Sequence, residues 1–264
     1  MTTTSGLAAV TGASSGIGEA FARLLAAERT PLVLVARQRD RLEALAKELR
    51  KTHGVAADVV AADLGTPEGR EALWSATEGA GRPVSLLVNG AGFGLVGPEA
   101  DLPLEKVRQL LAVNVVATAE LTHRFLVAMR ARRAGAILNV SSTSAFYPVP
   151  YFSLYGASKA FVLNFTHALH EEAKRDGVTL TCLCPGYTKT NFHEVAHMKS
   201  AEATPFPEMT AEAVARIGLK AVRKRKAFVV THPLDRVWIA SGRLVPRSVP
   251  AKMGARFFSK AKLP

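Results

Sequence analysis

Short apolar runs alternate with amphipathic segments along most of the chain, a pattern that predicts alternating strands and helices. The apolar runs predict seven strands, at Leu7–Val10, Pro31–Ala36, Val55–Ala62, Val84–Asn89, Ala136–Ser141, Val178–Cys184 and Ala227–Thr231. Helical spacing predicts a helix after the first strand that ends near Ala27, and others at Asp40–Lys51, Glu68–Glu78, Glu105–Arg130 and Tyr155–Lys174. Strands this apolar are buried on both faces. The predicted fold is therefore α/β and doubly wound (Rossmann-type), with a parallel sheet of about seven strands and helices on both faces.

The domain organisation is predicted to be simple. The chain has 264 residues and a hydrophobic content of 48%, enough for one large packed core. No repeat, linker or change of composition occurs before about residue 216. We predict a single Rossmann-type domain at residues 1–231. A basic amphipathic extension at residues 232–264 packs on this domain or projects from it.

The net charge of +12 comes from the C-terminal part of the chain. From Arg216 onwards there are 13 Lys and Arg residues and one acid, Asp235, whereas the first 215 residues carry 21 of each sign. Bases repeat every four residues beside an apolar stripe, at Lys252, Arg256 and Lys260 beside Met253, Phe257 and Ala261. Three roles stay open for this extension: contact with an anionic membrane surface, docking of an acidic acyl carrier or coenzyme A, and packing on its own or a neighbouring subunit. Packing on its own or a neighbouring subunit is preferred. No recognisable module predicts a nucleic-acid partner.

The predicted location is the cytoplasm, with a peripheral site at the membrane as the alternative. The N-terminal residues show no signal-peptide pattern, and no apolar run approaches the roughly 18 residues that a membrane span needs. Cys182 and Cys184 are expected to point to opposite faces of their strand and therefore not to pair. A reduced protein fits that interpretation.

A glycine-rich segment, Thr11-Gly-Ala-Ser-Ser-Gly-Ile-Gly18, follows the first strand and opens a helix. Gly12 allows a tight turn, while Gly16 and Gly18 let the backbone approach a pyrophosphate at the helix N-terminus. The segment predicts a dinucleotide-binding loop, although its spacing is GxxxGxG rather than GxGxxG. Arg37 follows the second strand, where NAD-binding folds usually place an acid against the ribose 2′-hydroxyl. Because a guanidinium favours a 2′-phosphate, we predict NADP(H) over NAD(H); a solvated basic helix entrance is the alternative.

Tyr155 and Lys159 stand four residues apart in a predicted helix and therefore share a face. A lysine charge beside a tyrosine favours the phenolate and is expected to lower the tyrosine pKa from about 10. Such a phenol can donate and accept protons near neutral pH. The spacing is common in amphipathic helices, so its meaning depends on the residues around it.

The chain as a whole, up to about residue 231, resembles the short-chain dehydrogenase/reductase family. The segments that carry the resemblance, in chain order, are Thr11–Gly18, Asn89–Gly92, Asn114, Ser142, Tyr155 with Lys159, and Pro185–Thr190. Two departures are small: Gly90 stands where the family more often has Asn, and Thr188 where Val or Ile is usual.

The resemblance implies an NADP-dependent ketoreductase that is a homo-oligomer, either a dimer or a tetramer. Residues 1–231 would be its catalytic domain, in which about 188–215 would cover the substrate. Tyr155 would exchange a proton with the substrate oxygen, and Lys159 would lower its pKa and bind the nicotinamide ribose. Ser142 would bond the substrate oxygen; it is preferred over Ser141 because neighbouring strand residues face opposite ways. Asn114 would hold a water that links Lys159 to solvent. The implied cofactor contacts are Gly12, Ser14, Ser15, Gly16, Ile17, Gly18, Arg37, Asp63, Leu64, Asn89, Ala91, Gly92, Tyr155, Lys159, Pro185, Gly186, Thr188 and Thr190.

The expected substrate is an apolar carbonyl or alcohol such as a lipid, acyl or steroid-like ketone. Apolar side chains are expected near the site, at Phe93, Phe146, Tyr147, Tyr151, Phe152, Phe192 and Met198, although ordinary packing would also account for them.

Two other functions were weighed against this oxidoreductase. His193-Glu194-Val195-Ala196-His197 matches the H-E-x-x-H pattern of zinc proteases, but no third ligand stands out. A surface helix is preferred there, and no metal site is predicted. A cofactor-binding regulator would keep the fold without the chemistry. The joint presence of Asn114, Ser142, Tyr155 and Lys159 favours an enzyme.

Overall fold

The computed structural model describes residues 6–190, 192, 208–242, 245–246 and 248–260, with residues 257–260 described by backbone alone. The strands are β1 (Leu7–Thr11), β2 (Leu32–Ala36), β3 (Ala57–Ala61), β4 (Val84–Asn89), β5 (Gly135–Val140), β6 (Val178–Cys184), β7 (Thr188–Lys189), β8 (Met209–Thr210) and β9 (Phe228–Val230). The α-helices are α1 (Gly16–Ala27), α2 (Arg39–His53), α3 (Pro67–Ser75), α4 (Leu104–Leu111), α5 (Thr118–Ala131), α6 (Ser153–Ala173), α7 (Ala211–Arg223), α8 (Pro233–Gly242) and α9 (Ser248–Lys260).

Seven strands form one sheet in the order β3-β2-β1-β4-β5-β6-β9, and every pairing in it is parallel. Val10 at the centre pairs with Leu34 of β2 on one side and with Val88 of β4 on the other. The strand order reverses between β1 and β4, which opens a crevice at the carboxyl ends of these strands. The predicted doubly wound α/β fold is confirmed.

Apolar side chains cover both faces of this sheet. Along β1, Ala8 and Val10 belong to a core shared with α1 and α7, while Ala9 belongs to the core on the other face, shared with α3 and α5. This division follows from the alternation of side chains along a strand. Because helices bury both faces, only the edges and the carboxyl ends of the sheet are left for a ligand.

Helix α7 corrects the predicted extent of the segment that covers the substrate. That segment was expected to reach residue 215, but α7 begins at Ala211, and Val214 and Ala215 are fully buried in the α1 core. The close packing has a local cause: a Cβ on Gly218 would lie 2.8 Å from the Phe21 ring. Residues 191 and 193–207, which include the His193–His197 motif and Met198, lie outside the described part of the chain.

The predicted helix Glu105–Arg130 is real, but its middle turn is not α-helical. Ala112–Ala117 forms a π-helical turn that joins α4 to α5. Asn114, at the centre of this turn, donates its amide to Phe93 O at 2.9 Å and accepts from Phe93 N at 3.1 Å. π-Helical turns are rare and often occur at functional sites. The continuous helix Leu104–Ala131 is also long and apolar enough, by length and composition alone, to cross a membrane, and 44% of its most apolar window is buried within the fold.

The two cysteines contradict the prediction that they point to opposite faces. Residues two apart in a strand share a face, and the sulfurs of Cys182 and Cys184 lie 3.8 Å apart in one buried cluster with Val162 and Val230. Both thiols are free, and burial raises the pKa of Cys184.

Candidate active site

A cavity of about 850 Å³ runs along the carboxyl ends of the strands. Its walls come from the glycine-rich loop, from the ends of β2 and β3, from the loops that follow β4, β5 and β6, and from the C-terminal helices α8 and α9. Most residues predicted for the site lie on these walls: Gly12, Ser14, Ser15, Gly16, Ile17, Gly18, Arg37, Asp63, Leu64, Ala91, Gly92, Ser142, Tyr155, Lys159, Pro185, Gly186, Thr188 and Thr190. Asn89 and Asn114 are not among the lining residues.

The glycines of the first loop leave no room for side chains. Gly12 has φ +70° and Gly16 has φ +57°, a conformation that favours glycine. A Cβ on Gly18 would lie 2.2 Å from Gly12 O. The loop therefore presents bare backbone to the cavity at the N-terminus of α1, which is the arrangement that binds a pyrophosphate.

Thr11 ties this loop to the neighbouring strand end. Its hydroxyl donates to Val88 O at 3.2 Å and accepts from Gly90 N at 3.0 Å and Ala91 N at 3.1 Å. Thr11 was part of the motif in the sequence, but this role was not predicted from it. The bonds hold the β1 and β4 loops together on the cavity floor.

Asn89 was predicted to contact the cofactor, but its side chain turns into the fold. Its amide donates to Asn139 Oδ1 at 2.9 Å and to Thr122 Oγ1 at 3.2 Å, all three residues being buried. This network joins β4, β5 and α5 beneath the cavity. The structure thus gives Asn89 a supporting position behind Gly90 and Ala91.

Two arginines lie at the end of the cavity that is formed by β2 and β3. Arg37 is exposed and lines the cavity, as does Arg41 from the first turn of α2. Arg39 between them pairs with Glu43 at 3.7 Å and is not a lining residue. Arg41 was missed in the sequence, where the only available signal was its spacing of four from Arg37. Asp63, nearby, accepts a hydrogen bond from Gly65 N at 2.9 Å, which fixes its loop.

Ser142 and Tyr155 meet on the cavity wall beyond β5, where the Ser142 hydroxyl is close enough to act on the pKa of the tyrosine. Tyr155 is 7% exposed, and its ring stacks on Phe152 with centroids 4.2 Å apart. Ser142 also accepts from Ser144 N at 3.1 Å, which holds its hydroxyl in place. The neighbouring Ser141 is committed elsewhere, because it donates to Lys159 O at 2.7 Å.

The expected lowering of the Tyr155 pKa is wrong in this geometry. Burial raises the pKa of Tyr155 to about 12, although the hydrogen bond with Ser142 opposes the shift. Lys159 Nζ lies 5.6 Å from the centre of the tyrosine ring and donates to Val140 O at 2.9 Å. Desolvation therefore outweighs the lysine charge. At neutral pH the tyrosine keeps its proton, the form that a general acid requires.

Lys159 is itself buried, and this burial lowers its pKa to about 8. Asn114 Oδ1 and Lys159 Nζ flank Gly92, since a Cβ there would lie 3.1 Å from the first atom and 3.3 Å from the second. The Asn114 amide also donates to Ser158 Oγ at 3.2 Å, one residue before the lysine. The structure thus brings Asn114 close to Lys159, behind the cavity wall.

Lys159→Met is expected to stabilise the fold at pH 7 by about 3 kcal/mol, because a folded-state pKa of about 8 against the usual 10.5 means that an ammonium is buried at a cost. Below pH 8 the whole cost is present. Between pH 8 and 10.5 the folded protein loses its proton first, so the stability of the wild type rises and the gain in the variant disappears. Urea denaturation from pH 7 to 10.5 measures this, with Lys174→Met, an exposed lysine at the end of the same helix, as the control. A variant equally or less stable at pH 7 contradicts the expectation.

The far part of the cavity is largely apolar. Phe93, Tyr147, Phe152 and Phe192 line it as expected, whereas Phe146 and Tyr151 do not. Phe146 packs instead on Phe228, with ring centroids 6.3 Å apart. The C-terminal helices complete this wall with Asp235, Trp238, Pro250, Met253 and Gly254, none of which was predicted to line the site.

The residues present fit a nicotinamide dinucleotide. Bare backbone at Gly12 and Gly18 and the N-terminus of α1 suit a pyrophosphate. Ser142 and Tyr155 lie further along the same cavity, and Arg37 and Arg41 lie at its opposite end. Within the described residues no cluster of His, Cys, Asp and Glu suits a metal ion.

Comparison with known proteins also indicates a dehydrogenase or reductase. A family model described as short chain dehydrogenase matches residues 7–200. The very-long-chain 3-oxoacyl-CoA reductase of Anas platyrhynchos is 33% identical over 219 residues, which cover 81% of this chain and 69% of the relative. The 7beta-hydroxysteroid dehydrogenase of Collinsella aerofaciens is 35% identical over 181 residues, which cover 69% of this chain and 68% of the relative.

Solved structures agree with the sequence relatives. A short-chain dehydrogenase from Sphingobium yanoikuyae in complex with NADPH has a TM-score of 0.80 and 30% identity, covering 90% of this chain and 93% of that one. A short chain dehydrogenase/reductase from Burkholderia phymatum in complex with NAD has a TM-score of 0.80 and 25% identity, covering 91% and 93%. With its fold, its cavity and its relatives in agreement, the chain belongs to the short-chain dehydrogenase family of oxidoreductases.

Proposed function

We propose that the chain is an NADP(H)-dependent oxidoreductase that interconverts a carbonyl and an alcohol, with Tyr155 as the proton donor and acceptor. The observation that carries this proposal is that Ser142, Tyr155 and Lys159 line the same cavity as the glycine-rich loop. The nicotinamide, when bound along this cavity, supplies a hydride to the carbonyl carbon or takes one from the alcohol.

The chain's own groups then handle the oxygen and its proton. In reduction, Tyr155 Oη gives its proton to the carbonyl oxygen, and the Ser142 hydroxyl hydrogen-bonds the same oxygen. At neutral pH the phenol of Tyr155 is protonated, which is the form that donates in this direction. Lys159 and Asn114 lie behind the tyrosine, where a lysine with a pKa of about 8 is suited to pass protons towards solvent.

The preference for NADP(H) is supported by Arg37 and Arg41, both at the end of the cavity where the adenosine ribose would lie. Two guanidinium groups suit a 2′-phosphate and give no acceptor for a free 2′-hydroxyl. One related structure holds NADPH and another holds NAD, so the proposal depends on these side chains.

An apolar substrate is supported by the phenylalanine, tryptophan and methionine side chains of the far wall. The relatives named above act, by their names, on very-long-chain 3-oxoacyl-CoA and on 7β-hydroxysteroids. We therefore propose a lipid, acyl or steroid-like ketone as the substrate, or the matching alcohol.

The C-terminal extension is proposed to complete the substrate site of its own subunit. A Cβ on Gly254 would lie 3.0 Å from Pro150, so α9 packs closely on the loop after β5. The same helices expose Leu234, Val237 and Met253 close in sequence to basic residues, which supports a peripheral contact with an anionic membrane as a further proposal. Co-sedimentation with phosphatidylserine vesicles tests it, and failure of the protein to pellet at low salt contradicts it.

Homo-oligomerisation is proposed through the surface of α4, α5 and α6. This surface exposes large apolar side chains that a monomer would leave in water, at Leu104, Val116, Val127 and Phe161. Sedimentation equilibrium gives the mass directly, and a monomer at micromolar concentration contradicts the proposal.

The decisive test of the proposed function is NADPH oxidation with a series of ketones. The series runs from short alkyl ketones through 3-oxoacyl thioesters of increasing chain length to steroid ketones. We expect turnover with the large apolar members and little with the smallest. Tight binding of NADPH without turnover of any member would favour the alternative of a cofactor-binding regulator.

A further inference from the structure

One buried carboxylate on the cavity wall has no part in the chemistry above. Asp235 lies in the first turn of α8, just after β9, and is 5% exposed. It lines the cavity together with Trp238 from the next turn of the same helix. Burial raises its pKa. It is also the one acid in the basic C-terminal segment from Arg216 onwards.

No partner for this carboxylate is found among the described residues. Asp235 makes neither a hydrogen bond nor an ion pair there, although the charge of His232, three residues earlier, opposes the rise in the Asp235 pKa. Buried carboxylates are normally paired or hydrogen-bonded. An unpaired acceptor on a cavity wall therefore indicates a ligand that brings the donor.

The surrounding backbone makes room for this acceptor. A Cβ on Gly186 would lie 2.1 Å from Asp235 Oδ2, so the carboxylate lies directly against the glycine of the loop after β6. On the other side it is near Tyr147, whose pKa is raised first by burial and then by the charge of Asp235. The cavity lining also includes the apolar side chains of Val149, Trp238 and Met253. The carboxylate therefore adds a charge-bearing acceptor to a wall that is rich in apolar groups.

The sheet order shows which end of the cavity holds Asp235. Ser142 follows β5, whereas Asp235 follows β9, two strands further towards the edge of the sheet, and its carboxylate lies against Gly186 in the loop after β6. Arg37 and the glycine-rich loop lie at the opposite end, beyond β1. Asp235 is therefore on the side of the cavity that faces away from the cofactor's adenosine.

We propose that Asp235, beside Tyr147, forms a polar subsite that accepts a hydrogen bond from a hydroxyl group of the substrate, on the β9 side of the carbonyl that is reduced. This inference rests on the proposed carbonyl chemistry and narrows its substrate class. The preferred substrate is an apolar ketone that also carries a hydroxyl, rather than an unsubstituted chain.

The test compares two steroid ketones that differ only in a hydroxyl at the far end of the ring system. The wild type is expected to reduce the hydroxylated ketone with a kcat/KM about 10- to 100-fold higher, which is the range for a hydrogen bond to a charged acceptor. In Asp235→Asn, which keeps the shape of the side chain, the ratio is expected to fall to within a few-fold of unity. Val237→Thr, an exposed position on the same helix outside the cavity wall, is the control and should keep the wild-type ratio.

Three results would overturn the subsite: a wild-type ratio near one, an unchanged ratio in Asp235→Asn, or a loss in that variant that appears only in the Kd for NADPH. The last would assign the carboxylate to the cofactor. A thermal-shift titration of the NADPH-bound protein with each ketone gives a second readout that does not depend on turnover. If no ketone is turned over, the proposed function fails, while a hydroxyl-dependent shift that Asp235→Asn abolishes still supports the subsite and an equal shift with both ketones overturns it.

Discussion

Tyr155→Phe is expected to lower kcat by at least about a thousand-fold while changing the Kd for NADPH by no more than a few-fold. The variant removes one hydroxyl from a ring that stays packed between Phe152 and Phe192, at centroid distances of 4.2 and 5.3 Å. The variant then lacks the hydroxyl that gives its proton to the substrate oxygen beside Ser142. Steady-state ketone reduction and fluorescence titration of NADPH measure the two quantities separately.

The control for this variant is Tyr151→Phe, which removes the same hydroxyl from a tyrosine that does not line the cavity. Its kcat should stay within a few-fold of the wild type. Activity of Tyr155→Phe in the same range would refute the proposed role of Tyr155. A drop that is matched by lost NADPH binding would point to damage of the fold instead.

The double variant Arg37→Gln, Arg41→Gln is expected to lose about 100- to 1,000-fold in kcat/KM for NADPH and little for NADH. Each guanidinium that binds a phosphate through charge-assisted hydrogen bonds contributes roughly 1.5–3 kcal/mol, or about ten-fold or more. Both side chains line the cavity and both are exposed, so glutamine should leave the fold intact. The ratio of kcat/KM for the two cofactors, measured with one ketone, gives the effect directly.

Arg39→Gln is the matched control, because that arginine lies between the other two but pairs with Glu43 outside the cavity wall. It should change the cofactor ratio by less than about two-fold, since an exposed ion pair contributes little. Raising the salt concentration should weaken NADPH binding in the wild type more than in the double variant. A wild type that prefers NADH would overturn the assignment of NADP(H).

Much of the fold was predictable because its signals are local. Seven apolar runs gave the seven strands of the sheet, and the glycine-rich segment gave the turn into α1. Helix α7 was not predicted, because no apolar run or glycine-rich turn marks where it begins in the chain after residue 188. The π-helical turn at Asn114 was missed because it depends on a bond to Phe93, a contact between distant parts of the chain.

The site residues show the same difference between local signals, which the sequence reveals, and long-range packing, which it does not. Residues inside continuous motifs, such as Gly12, Ser142 and Tyr155, were placed on the cavity wall by sequence alone. The direction of the Tyr155 pKa shift was not predicted, because it depends on burial, which the spacing of residues along the chain does not reveal. Asp235 and Trp238 reach the cavity only through the packing of α8. The resemblance in the sequence ends at about residue 231, before α8, and therefore did not indicate these two residues.

The two ends of the cavity are built from separate parts of the chain, and this has an evolutionary consequence. The loops up to β3 and β4 surround the cofactor end, while α8 and α9, which come after the last strand of the sheet, close the other end. Exchange of the sequence after Thr231 between two members of the family would replace much of the pocket's outer wall and leave the dinucleotide loop untouched. Preference for a new molecule can therefore be acquired by recombination at one junction, without re-evolving the redox machinery.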